Sequence, residues 1–370
     1  MSDLSFFVEI MDPFGVKLAQ LDTFTALDYV RTINDVGVLT MDLPVDVPTS
    51  LFRKDARLAV WRKPTDGAYQ IETETVWFVR RWQRTMSEKG ERVLRVHAMS
   101  ALYLTSGRIV AYDAGTSYAS KTDYADDMIN AIVRENLGSS ATDSDRDLSD
   151  YLTVEADLSQ GESLSKAFAR RNVLAVLQEI AEASAEAGTR VYFDIVAPTS
   201  STLEFRTYTG QRGANRALSS SAPLIMSPEL GNIASGDSLE DHSGEVTVVY
   251  AAGAGEGTDR EVTEVEDATR TASSPFGRRE ALRDARHGAT GAALTAEGEA
   301  MLRENRPRIS FSAALVDTPQ ARYGREWHWG DMVSVLFEGL AYDCHISTIR
   351  VTVKDGRETI QAALQAEVTA

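Results

Sequence analysis

Along the first hundred residues apolar side chains return at every second position. Phe6, Val8 and Ile10 alternate with their neighbours; Leu39, Met41 and Leu43 share one face while Val38, Thr40 and Asp42 share the other. A period of two marks a strand with one covered face. Gly37 relaxes the chain where it enters that strand, and Pro44, which cannot donate to a ladder, ends it. Leu58–Trp61 reads as a further strand, and Thr75–Trp82 pairs with Arg92–Ala98 across Ser87-Glu88-Lys89-Gly90. Residues 1–104 therefore read as a first small β-barrel domain.

From residue 105 the period changes. Tyr124, Met128, Ile129, Ile132, Val133 and Leu137 recur at helical spacing, with Gly138 where a helix would stop. A second helix is expected from about Val173 to Ala187, with Asn172 as N-cap and Gly188 as terminator. Strands Arg190–Val196 and Leu203–Tyr208 follow, joined as a hairpin, so residues 105–235 read as an α/β domain. Residues 210–243, rich in Ser, Gly and Asn, have the composition of a crossing loop. Strand alternation resumes at Glu245–Tyr250. Ala281, Leu282 and Ala285, then Leu294, Ala300 and Leu302, are spaced for helix. Met332 then alternates against Val333 and Val335, a strand runs through the 340s, and Asp355-Gly356 closes a two-residue hairpin. Residues 236–370 read as a second β-barrel domain with a helical insert at about 275–306. The expected fold class is α+β, mainly β: two small barrels with an intervening α/β domain.

Composition fits a well-packed chain of 370 residues, 43 % hydrophobic and 25 % charged. No apolar run approaches 18 residues, so no membrane span is expected, and Met1-Ser2-Asp3 does not open a signal peptide. Cys344 stands alone, so no intrachain disulfide forms, which fits assembly in a reducing cytoplasm; in its strand pattern it reads as a buried, inert thiol. The net charge of −17 argues against a nucleic-acid-binding surface.

Motifs that could carry chemistry fail on their surroundings. Gly253-Ala254-Gly255-Glu256-Gly257 follows a strand, but Arg260–Glu266 alternates like another strand, whereas a dinucleotide loop needs a helix next. A glycine-rich hairpin fits better. Asp143-Ser144-Asp145-Arg146-Asp147 opens like a calcium loop, yet Leu148 and Val154 stand where Gly and Glu are required, leaving a solvated acidic loop. Glu72 and Glu74 would share a face of a possible strand, a pattern any Glu-x-Glu strand satisfies. The histidines, at 97, 242, 287, 328 and 345, lack zinc-site spacing. No cofactor, metal or catalytic residue is expected. A carbohydrate-active enzyme built on Glu72 and Glu74 is the alternative of another class. Trp77, Phe78, Trp82 and Trp327 crowd near strand ends; adjacent Trp77 and Phe78 point to opposite faces, so these four are candidate subunit-interface residues, with packing under a neighbouring loop as the other reading.

Several blocks, in order, carry a resemblance. Tyr29 and Arg31 precede Asn34-x-x-Gly37, an alternating strand and Pro44. Gly231-Asn232-Ile233 comes next, then the strand ending at Tyr250, the loop with Gly253 and Gly255, Arg278-Arg279-Glu280, and Trp329-Gly330-Asp331. Together these resemble the tail hub (baseplate hub or tail-tip) proteins of long-tailed bacteriophages of the siphophage type. The resemblance implies a structural virion protein at the tail tip, assembled in the host cytoplasm, with three copies in a ring. Three copies with two barrels each would fit a six-fold tail tube to a three-fold tip. It also implies as partners a tail tube or distal tail protein, the tape-measure protein, and tail fibre or tip proteins. The hub of a contractile injection machine is the related alternative. The chain ends just after the last expected strand, without the enzymatic extension of wall-cutting tip proteins, so no hydrolase activity is expected. If the ring encloses a DNA channel, an acidic wall would repel the passing DNA.

Overall fold

A computed structural model describes residues 5–366, apart from 64–66, 87–89, 91, 112–118, 142, 169, 256, 286–289, 317 and 355. The turn residues Ser87, Glu88, Lys89 and Asp355, and also Glu256 and His287, therefore lie outside the described residues. The chain divides into two compact units, Met1–Asp237 with Phe311–Ala370, and Ser238–Ser310.

The N-terminal strands are β1 (Ser5–Met11), β2 (Lys17–Leu21), β3 (Ala26–Thr32), β4 (Val38–Pro44), β5 (Arg57–Lys63), β6 (Gln70–Ile71), β7 (Trp77–Met86) and β8 (Arg92–Ser100). Alternation does what the pattern predicts: Leu39, Met41 and Leu43 are buried along β4, as are Leu27, Tyr29 and Arg31 along β3. β7 and β8 are antiparallel, Met86 opposite Arg92.

A short helix α1 (Tyr103–Ser106) leads into the α/β part: β9 (Ala119–Tyr124), α2 (Ala125–Leu137), β10 (Leu152–Val154), β11 (Ser163–Phe168), α3 (Val173–Ala187), β12 (Val191–Val196) and β13 (Leu203–Thr209). Asn172 caps α3 by accepting from Ala175 N–H at 3.3 Å. Gly188, at φ +128°, ends it with its N–H on Ser184 O. Met128, Ile132 and Val133 of α2 and Val176, Leu177 and Ile180 of α3 belong to one buried cluster with Phe193 and Phe205 of the β12–β13 hairpin. Around Asp143 the acidic residues form a 3-10 turn, where Asp143 Oδ1 accepts from Asp145 N–H and Asp147 Oδ1 from Ser149 N–H. Among the described residues no acidic or Cys/His cluster could hold a metal ion.

After β14 (Asn215–Arg216) and β15 (Ile225–Met226), β16 (Ile233–Asp241) leads the chain into the second unit. There β17 (Val248–Ala252) lies between β18 (Val262–Glu266) and, after α4 (Ala268–Ala272), β19 (Glu280–Asp284), followed by α5 (Ala292–Glu304). The glycine-rich stretch is the hairpin loop from β17 to β18, with Gly255 at φ +106°. Residues 280–284, expected as helix, are a strand parallel to β17 from Val248↔Glu280 to Ala252↔Asp284. The spacing of Ala281 and Leu282 is too short to fix a period, and the free edge of β17 decides in favour of strand.

The chain returns through β20 (Arg308–Leu315) to β21 (Met332–Phe337), β22 (Leu340–Lys354) and β23 (Arg357–Ala366). N- and C-terminal strands share one 15-stranded sheet, ordered β16-β20-β23-β22-β3-β4-β8-β7-β5-β1-β2, with β14 and β15 on β21, β21 on β22 and β6 on β5. No closed barrel is found among the described residues. β3 pairs with β22 from Ala26↔Lys354 to Thr32↔Thr348, so the two strand groups are joined, and among the described residues neither closes on itself. The fold is mainly β with few helices.

Candidate functional site

Arg31 occupies the third inward position of β3, after Leu27 and Tyr29, and is fully buried. A guanidinium there is costly unless paired. Asp194 supplies the charge. It is the one acid in Val191-Tyr192-Phe193-Asp194-Ile195-Val196, a strand whose every residue is buried, and its Oδ2 accepts from Arg31 Nη2 at 2.5 Å. The same oxygen accepts from Arg212 Nη2 at 3.1 Å. Both guanidinium groups lie over the Trp329 ring, at 4.7 Å for Arg31 and 3.9 Å for Arg212, where the ring face adds favourable electrostatics. Arg31 Nε and Nη1 have no hydrogen-bond partner among the described residues.

The flanking motif residues hold this cluster in place. Asn34, at φ +56°, accepts from Phe193 N–H with Oδ1 at 2.8 Å and donates from Nδ2 to Val191 O at 3.2 Å, so the β3–β4 turn extends the pairing of β12. Gly37 passes so close that a Cβ would stand 2.7 Å from Arg31 Cδ and from Val30 O. Gly330, at φ +90°, turns the chain, its carbonyl accepting from Gly213 N–H at 3.0 Å. Asp331 is buried and accepts from Ala214 N–H at 2.7 Å, His328 N–H at 2.9 Å and Arg216 Nε at 3.2 Å. Arg31, Gly37, Trp329 and Gly330, far apart in sequence, thus meet at the Arg31–Asp194–Arg212 cluster, while Asp331 pins the adjoining segment to Ala214, His328 and Arg216.

A cleft of about 670 Å³ opens beside it, lined among others by Trp61, Glu72, Glu74, Tyr208, Arg212, Tyr323 and Trp329. Glu72 and Glu74 do not share a strand face. They sit in a 3-10 turn whose Thr73 and Glu74 take φ of +52° and +53°, which turns Glu72 inward at 2 % exposure and leaves the Glu74 side chain 67 % exposed. Burial pushes the Glu72 carboxyl above its usual pKa, partly offset by Arg62 and by the Tyr323 hydroxyl, which donates to it. Arg62 in turn donates to Glu358 at 2.9 and 3.0 Å. Burial also raises Tyr208 to about 12. Glu74 accepts from Arg212 Nη2 at 3.3 Å. Both carboxylates thus have protein partners, Glu72 the Tyr323 hydroxyl and Glu74 the Arg212 guanidinium.

The other motif residues stay local. Pro44 closes β4 opposite Val93. Gly231, at φ +70°, and Asn232 form a turn in which Asn232 Oδ1 accepts from Ser227 N–H and Nδ2 donates to Ile225 O. In the second unit, Gly253 N–H donates to Glu261 O, Arg279 O accepts from Thr247 and Val248 N–H, and Glu280 accepts from Arg278 Nε at 2.6 Å. Three of the four candidate interface aromatics are interior, a correction to the expectation. Trp77 packs on Tyr29 at 5.9 Å, Phe78 joins the α/β cluster, and Trp327 packs on Tyr323 at 4.8 Å. Trp77 and Phe78 do point oppositely, but the sheet is covered on both sides there. Trp82, 43 % exposed, is the one left at the surface. Asp194, Arg212 and Arg62 were not foreseen; a lone acid in an otherwise apolar strand was the available signal for Asp194.

A family model described as Siphovirus ReqiPepy6 Gp37-like protein matches residues 7–364. No curated protein matches the chain. Among solved structures, the fold is similar to the prophage MuSo2 43 kDa tail protein from Shewanella oneidensis (TM-score 0.61, 11 % identity, 97 % of this chain and 98 % of that one). It is also similar to a tail protein from Neisseria meningitidis MC58 (TM-score 0.57, 12 % identity, 98 % and 97 %). A Francisella PdpA-VgrG complex aligns over 100 % of this chain and 59 % of that one, at TM-score 0.53 and 8 % identity.

Proposed function

Because the chain belongs to the Siphovirus ReqiPepy6 Gp37-like family, we propose that it is a structural tail hub, three copies of which form a ring fitting a six-fold tail tube to a three-fold tip. The observation that carries this reading is end-to-end agreement of the fold with prophage tail proteins, both units included. In each copy, N- and C-terminal strand groups sharing one sheet would supply two β lobes, and three copies would supply six. Partners would be the tail tube or distal tail protein, the tape-measure protein, and fibre or tip proteins. The chain would stand at the tail tip of the virion after assembly in the host cytoplasm. Exposed Trp82 is the candidate aromatic that remains available for a copy-to-copy contact.

The ion cluster around Trp329 serves this role as a clasp, and no covalent chemistry is proposed for it. Light scattering should give three times 40.5 kDa, with six-lobed rings in negative stain, and Trp82→Ala should weaken the ring while leaving the fold intact. A stable dimer without rings would sink the hub reading, and peptidoglycan release by the purified chain would sink the non-enzymatic part. The PdpA-VgrG likeness supports a second reading, the hub of a contractile machine, which co-purification with a sheath protein would favour.

A further inference from the structure

A second cleft in the first unit, about 400 Å³, lies beside the β1–β2 turn, with walls from β5, β7 and the segment around Tyr151. Lys54, Arg57, Arg80 and Arg108 line it against one carboxylate, Asp55, which is already paired with Arg80. Arg57 is 2 % exposed and donates to two neutral acceptors, Ser201 O and Pro13 O, each at 2.9 Å; its Nε has no partner among the described residues. Backbone carbonyls solvate a guanidinium without neutralising it. Burial accordingly pulls the Arg57 pKa down, with Asp12 offsetting part of the loss. Lys54 and Arg108 likewise have no carboxylate partner among the described residues. In a chain with 55 acidic and 38 basic side chains, this is a local reversal of charge.

The rim is aromatic. Phe14 is 68 % and Tyr151 40 % exposed, their rings 6.3 Å apart, and the Arg57 guanidinium lies 5.8 Å from the Tyr151 ring. We infer that this cleft docks an acidic peptide segment of another protein, one that sets a carboxylate beside an aromatic or large aliphatic side chain. The carboxylate supplies the counter-charge that Lys54 and Arg108 lack and that Arg57 has only in part, from Asp12, and charge-assisted bonds to guanidinium are the strong ones. The apolar side chain covers Phe14 and Tyr151, which water meets at present. The volume admits one or two side chains and no folded element. A nucleic acid is the disfavoured occupant, because a polyanion feels the net charge of −17 at long range while a short segment meets mainly the local cations.

The inference holds whether or not the ring forms, and it is tested on the full chain by calorimetry at low salt. The probes are acetyl-Glu-Phe-Asp-Glu-amide, the matched acetyl-Lys-Phe-Lys-Lys-amide and a short oligothymidylate. The acidic peptide should bind and the other two should not. Lys54→Ala combined with Arg108→Ala should weaken binding about tenfold, and Phe14→Ala, at an exposed position that leaves the fold intact, should weaken it several-fold. No heat from the acidic peptide at millimolar concentration would overturn the inference. So would equal binding of the oligothymidylate, or unchanged affinity in both variants.

Discussion

Replacing Asp194 by Asn keeps the shape of the ion cluster and removes its charge. Two guanidinium groups beside the Trp329 ring, Arg31 fully buried and Arg212 nearly so, would then lose the carboxylate they share. Arg212 retains Glu74, whose exposed carboxylate is screened by water; Arg31 retains no acid. Removing one partner of a buried pair costs about 3–5 kcal/mol, because the residual charge is stranded. In a unit of this size that is a fall in Tm of about 5–8 °C. The internal control is Asp28→Asn, which breaks the more exposed Arg350–Asp28 pair and should cost about 0–1 kcal/mol. Guanidinium chloride unfolding, followed by tryptophan fluorescence, measures both. Arg31→Met, which fills the same space without charge, should rescue part of the loss in the double variant. If Asp194→Asn falls within about 1 kcal/mol of the parent chain, or if the two substitutions simply add, the clasp reading fails.

Glu72→Gln tests the second buried acid. Its folded pKa lies above the ordinary 4.5, mainly through burial, so its contribution is fully present below pH 4.5 and is lost as pH rises through the folded value. The variant should therefore match the parent near pH 4 and exceed it in stability at pH 8; a constant difference across that range would contradict the assignment. Gly37→Ala should destabilise by about 1–3 kcal/mol in thermal melts, because the new methyl meets Val30 O and the Arg31 side chain, and an unchanged melt would refute the close approach. Cys344 is buried with its thiol pushed up to about 12, so iodoacetamide at pH 8 should label denatured chains and leave native ones intact.

The sequence was most legible where one local rule acted alone. Helix α3 begins and ends as Asn172 and Gly188 foretell, because caps are chosen within a turn of the residues that need them. The β12–β13 hairpin and the glycine-rich loop were equally local. Residues 280–284 failed because five positions carry too little periodicity to compete with the edge of β17. The site was half legible. Arg31 and Trp329-Gly330-Asp331 were singled out as separate motifs, whereas their meeting at Asp194 depends on a strand from the middle of the chain. Glu72 and Glu74 were misread because two successive left-handed non-glycine residues have no sequence signature. Trp77 and Phe78 do alternate, but what covers each face of a sheet is decided by segments far away in sequence.

The seam between β3 and β22 sets a timetable for synthesis. Thr352 hydroxyl donates to Asp28 across a sequence separation of 324. At about 5–20 residues per second, the edge of β3 waits on the order of 15–65 s before its partner leaves the ribosome. For that interval the first strands are a sheet with an open flank, a site for chaperones to hold and for premature self-pairing to spoil. A chain cut short before Thr348 never closes that flank, so an interrupted product keeps the row of unpaired backbone groups on β3 that the finished chain covers.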